Sequence, residues 1–91
     1  MKRVTEKMLI LSVDYLNEIT GNPVQYYTYG HISIGHYTLS GAYGGWQLQQ
    51  IMNNGGGVDL PLGHGFYPKR ELYNQINAFI LGINNKDKKN E

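Results

Sequence analysis

Few residues of this chain have chemistry beyond folding: three histidines (His31, His36, His64), an isolated mid-chain carboxylate (Asp59) and a cation pair, Lys69-Arg70. Histidine with a carboxylate suits acid–base work or a metal, and Asp59 and His64 lie close enough in sequence to meet across one loop. None of the histidines stands in the HExxH or His/Cys spacing that marks a zinc site. No second carboxylate lies near Asp59, which argues against two-metal hydrolysis. A hydrolase or nuclease using these residues is therefore the alternative reading, and the expectation is no enzyme activity and no cofactor.

The cation pair is more informative. Pro68 suits the first turn of a helix, which places Lys69 and Arg70 where positive charge opposes the helix dipole, at a cost of about 0.3 to 1 kcal/mol each when exposed. Glu71 offsets part of that cost. An anion would offset more, and a helix start preceded by Gly63-His64-Gly65 offers N–H donors to phosphate, with charge-assisted contacts from Lys69 and Arg70. Tyr43, Trp46, Phe66 or Tyr67 could then stack on a base. The predicted ligand-binding set is Tyr43, Trp46, His64, Phe66, Lys69 and Arg70. The plainer reading leaves both cations solvated or paired, and Trp46 in the core. Nucleotide-enzyme fingerprints are missing: no GxGxxG occurs, and His64 follows Gly63 where a P-loop requires lysine.

Charge distribution narrows the partners. Between Ile19 and Pro68 there is no Lys or Arg, and Asp59 is the only carboxylate, although the net charge of the whole chain is +1. Duplex binding needs a stripe of phosphate-neutralising cations that this middle lacks, so nucleic acid is not the expected partner. A sequence-specific binder using Lys69, Arg70, Asn74 and Gln75 on the last helix is a lesser alternative. No apolar run reaches the roughly 20 residues that cross a bilayer, and Glu6 and Lys7 interrupt the only apolar stretch resembling a leader. The expected location is the cytoplasm, without membrane contact. Cysteine is absent, 91 residues hold one domain, and eight tyrosines point to half-buried surface, so homo-oligomerisation is expected as reinforcement.

These residues need elements to hold them. Thr5 is predicted to cap a helix running to about Thr20, with Met8, Leu9, Val13, Leu16 and Ile19 on one face, stopped by Gly21-Asn22-Pro23. Val24 to Tyr29 and His31 to Leu39 read as strands joined tightly at Gly30, with Gly35 marking a bulge or a close approach. The glycine-rich stretch Gly35 to Val58 reads as the organising centre. In it, a turn over Ser40 to Gly45 leads into a predicted two-turn helix, Trp46 to Asn53, with Leu48, Ile51 and Met52 buried. Val58 to Tyr67 reads as an ordered loop. The last helix follows Pro68, with Leu72, Ile76, Phe79, Ile80 and Ile83 at helical spacing, before a charged tail over residues 84–91. The predicted fold is α+β: helix, β-hairpin, short helix and helix within residues 1–83, antiparallel strands backed by helices.

The pattern Gly35-x-Tyr37-x-Leu39-x-x-Ala42-Tyr43-Gly44-Gly45-x-x-Leu48, then Asn54-Gly55-Gly56-Gly57 and Lys69-Arg70-Glu71-Leu72-Tyr73, resembles a group of small uncharacterised proteins of tailed phages and prophages. The likeness covers about residues 5 to 83 and carries no catalytic residue. It implies an accessory protein in the cytoplasm of an infected bacterium, where such proteins often bind and disable a host component. The expected function is inhibition of a host process, antiviral defence above all, by binding. One version sequesters a nucleotide-like signal and the other occludes a host defence protein.

Overall fold

The computed structural model describes residues 3–89. Elements run α1 (Glu6–Ile19), β1 (Tyr27–Thr28), β2 (His31–Ile32), β3 (Tyr37–Ala42), β4 (Gly45–Ile51), β5 (Val58–Asp59) and α2 (Lys69–Lys89). This is a small α+β fold with an antiparallel three-stranded sheet, order β3-β4-β5, and a separate two-stranded hairpin, β1-β2.

Both helices form as their periodicity predicts. The Thr5 side chain accepts from the Met8 N–H at 3.2 Å, closing the first turn of α1, and Thr20 is its C-cap. Pro68 sits just before α2, and its carbonyl accepts the Leu72 N–H at 3.0 Å. α2 continues to Lys89 instead of stopping near Ile83, so the expected tail overlaps its last turns. Residues 90–91 lie outside the described residues.

The middle of the chain departs from expectation. Trp46 to Asn53 is not a helix. Its first six residues belong to β4, paired with β3 in the register Leu39↔Leu48 and Gly41↔Trp46. Trp46, Leu48 and Gln50 face one way and Gln47, Gln49 and Ile51 the other, so the apolar residues read as a helical stripe are split between two sheet faces. Met52, expected to be buried, is exposed. The turn is correspondingly tighter, only Tyr43-Gly44, both with positive φ (53° and 73°). That is the backbone of a type I′ hairpin, whose twist matches the flanking strands. Tyr29-Gly30 (φ 52° and 79°) makes the same turn between β1 and β2. The predicted hairpin at Gly30 is thus present but short, because the second run breaks at Ser33 to Gly35 before β3 begins. Gly35 is a point of close approach: a Cβ there would stand 2.6 Å from Asn22 Oδ1.

The core lies between the two helices and one face of the sheet. Leu9, Val13 and Leu16 of α1 meet Leu72, Ile76 and Ile80 of α2 over Tyr37 and Leu48. Tyr37 and Phe79 pack edge to face with ring centroids 6.3 Å apart. Of the expected loop Val58 to Tyr67, Val58 and Asp59 instead form β5 against β4, and the 60–67 segment returns to the far side of β4, where Trp46 and Tyr67 exchange both backbone bonds at 2.8 Å.

Candidate functional site

That return brings the two halves of the predicted ligand set together. A Cβ on Gly45 would meet the backbone of Phe66 and Tyr67 at 3.0 to 3.1 Å, so any other residue here would require that backbone to give by a few tenths of an ångström. The rings of Tyr43 and Phe66 then pack edge to face, centroids 5.5 Å apart. Gln47, buried, donates from Nε2 to the His64 carbonyl at 2.9 Å, tying the loop to β4 by its backbone. Trp46 is half-buried, packed against the core and paired with Tyr67. Tyr43 and the His64 side chain are exposed, as are Lys69 and Arg70 at the start of α2.

Two concave surfaces lie elsewhere. The larger is a cavity of about 290 Å³ between α1 and β3, lined by Glu6, Ile10, Val13, Asp14, His36, Tyr37, Thr38, Leu39 and Trp46. Of the six predicted residues only Trp46 belongs to it. Among the described residues its lining holds two carboxylates and no Lys or Arg, with Ile10, Val13, Leu39 and Trp46 as its apolar part. A second groove, about 280 Å³, runs between α1 and α2 past Met8, Leu11, Tyr15, Tyr73 and Ile80, without a charged group among the described residues.

The larger cavity adjoins a buried polar cluster that sequence reasoning missed. Asn17 is fully buried in α1, where its Oδ1 accepts the Tyr37 N–H at 2.7 Å and its Nδ2 donates to the Tyr37 carbonyl at 3.0 Å. His36, also buried, has Nδ1 2.8 Å from the Pro23 carbonyl. A carbonyl only accepts, so Nδ1 carries the proton and Nε2 is the acceptor in the neutral ring. The 3.4 Å approach of Asn17 Nδ2 to Nδ1 is then donor against donor and adds no bond. The missed signal was one polar residue, Asn17, on the apolar side of α1 beside Leu16.

The remaining histidines do not converge. His31 is exposed on β2, His64 on the 60–67 loop and Asp59 on β5. Among the described residues no group of three or more His, Cys, Asp or Glu could hold a metal. Burial, with the Asp59 carboxylate adding to it, pushes the Tyr37 phenol above its ordinary value. No helix among the described residues is long and apolar enough to cross a membrane.

Comparison with protein-family models, with curated proteins and with solved structures found no match.

Proposed function

We propose that this chain is a non-enzymatic accessory protein that inhibits a host process, with antiviral defence the first candidate, by occupying a host protein. The observation that carries this reading is the charge of the larger cavity. Among the described residues its wall offers Glu6 and Asp14 and no Lys or Arg, so an anionic nucleotide entering it meets like charge, whereas a protein surface bearing Lys or Arg is matched. Exposed aromatic and aliphatic side chains support the same partner class. Tyr15, Tyr26, Tyr27, Tyr29 and Tyr43 are exposed, and tyrosine is enriched where proteins meet. Affinity capture from infected host lysate should recover one stoichiometric partner, and recovery of none would remove the reading.

A second reading, capture of a nucleotide-like signal, is supported by the junction of Tyr43, Trp46 and Phe66 near the start of α2 with Lys69 and Arg70. Calorimetry against cyclic di- and trinucleotides and ADP-ribose derivatives separates the two. Heat of binding that Lys69→Ala plus Arg70→Ala abolishes would transfer the function to this site, and absence of heat leaves protein occlusion.

A further inference from the structure

β3 is the edge of its sheet, and two sets of hydrogen bonds fix which of its backbone groups face outward. Asn17 takes both the N–H and the C=O of Tyr37, so Tyr37↔Gln50 is a pair without ladder bonds. Antiparallel alternation then directs Thr38, Ser40 and Ala42 toward β4 and turns the backbone groups of Leu39 and Gly41 away from it. Trp46 checks this independently, since it sits opposite Gly41 and spends both backbone groups on Tyr67 at the other edge. Asn17 therefore does at Tyr37 what a neighbouring strand would do, and the substitute ends there. Among the described residues no strand pairs with β3 on that side.

The acid-walled cavity lies against this same edge, with Tyr37, Thr38 and Leu39 on one side and Glu6, Ile10, Val13 and Asp14 of α1 on the other. Resting on the protein-binding reading above, we propose that the β3 edge receives an extended basic segment of the partner protein, which adds a fourth strand beside Leu39 and Gly41. Main-chain bonds supply the affinity of such an addition, and pockets for alternate side chains supply its specificity. Among the described residues both carboxylates and no Lys or Arg line the wall, and Trp46 in the same lining suits a guanidinium as well. Glu6 and Asp14 are eight residues apart, about 12 Å along α1. An extended strand covers about 13 Å between residues four apart, which also point to the same face. The recognised segment therefore carries two basic residues, Arg favoured over Lys, at i and i+4. A second copy of this chain fits poorly: β3 reads YTLSGA, without a cation, and an edge-to-edge pair would set Glu6 and Asp14 of both copies along one seam.

The test is selection from a library of random peptides of about twelve residues displayed against the whole protein, followed by titration of the enriched peptides observed by amide NMR. Enriched peptides should carry basic residues four apart and slow the exchange of the Leu39 and Gly41 amides. Glu6→Gln with Asp14→Asn should weaken binding at least about tenfold, and Asp14→Lys alone should do the same. Both variants alter exposed residues of α1, and unchanged circular dichroism confirms that they fold. No enrichment, enrichment without basic residues, indifference to these substitutions or protection mapping elsewhere would each overturn the proposal. Concentration-dependent protection of Leu39 and Gly41 in the protein alone would overturn it in favour of a second copy. A lysate partner that still binds the Glu6→Gln/Asp14→Asn variant would retain the protein-binding reading while removing this edge.

Discussion

At the scale of single residues, Asn17 is the side chain on which the open edge depends. Its removal leaves a buried backbone N–H and C=O without partners, each costing about 1 to 3 kcal/mol. Asn17→Ala should therefore lose about 3 kcal/mol in urea denaturation, a large share of what a small domain has. Tyr29 illustrates the opposite case. A bulky residue at φ 52° is strained, and asparagine is preferred at that turn position. At 97% exposure Tyr29 recovers little of that cost by packing. Tyr29→Asn should raise stability by about 0.5 to 1 kcal/mol, whereas Tyr43→Asn should gain less because it gives up the ring contact with Phe66. Tyr37 makes stability depend on alkaline pH. Its folded-state value is raised by burial first and Asp59 second, so the folded state keeps a proton that the unfolded state releases. Stability is held below the ordinary phenol value and falls as pH rises from there through the folded value. Tyr37→Phe should flatten that fall in pH-dependent denaturation, and an unchanged slope would contradict the assignment.

At the scale of elements, what was legible in the sequence follows from how far each pattern extends. α1 and α2 repeat their apolar residues over several turns, and the residues that precede them, Thr5 as N-cap and Pro68 at the helix start, have one dominant use. β4 is seven residues long, and Trp46-Gln47-Leu48-Gln49-Gln50-Ile51 satisfies a period of two at Trp46 and Leu48 as well as a helical step at Leu48 and Ile51. Gln and Met favour helices, which tilts local reading the wrong way. Pairing with β3 and with Tyr67 decided for strand. The repeated Tyr-Gly dipeptide is the available clue: the tight connection at Gly30 is preceded by Tyr29, and Tyr43-Gly44 makes the same turn. Of the candidate site, residue type alone grouped Tyr43 and Trp46 with Phe66, and their meeting depends on the backbone approach at Gly45, which no local pattern specifies. The acid-walled cavity was not legible, because Glu6 and Asp14 reach it only through the docking of α1 on β3. Gly45→Ala tests the element contact: its Cβ would press on the Phe66-Tyr67 backbone at about 3 Å, which side-chain motion cannot relieve. A loss of about 1 to 3 kcal/mol is expected, with exchange of the Trp46 and Tyr67 amides accelerated.

At the scale of the molecule, two helices cover one face of a sheet in which the two sides of the β3-β4 hairpin have different fates. Among the described residues the outer side of β4 is covered by β5 and by Tyr67, and the outer side of β3 is bonded only at Tyr37, by Asn17. Folded proteins protect their exposed edges, so an edge left beside a cavity is a surface for use. The core that supports it is small, and Ile76→Ala, at a fully buried position between both helices and the sheet, should cost about 2 to 5 kcal/mol. The most direct measurement of the central claim, that β3 offers a free strand edge to a partner, is residue-resolved hydrogen exchange of the protein alone at low concentration. Thr38, Ser40 and Ala42 amides should be protected by β4, and Leu39 and Gly41 amides should exchange orders of magnitude faster. Protection of Leu39 and Gly41 equal to that of their neighbours would mean that the edge is already covered, and would contradict the account.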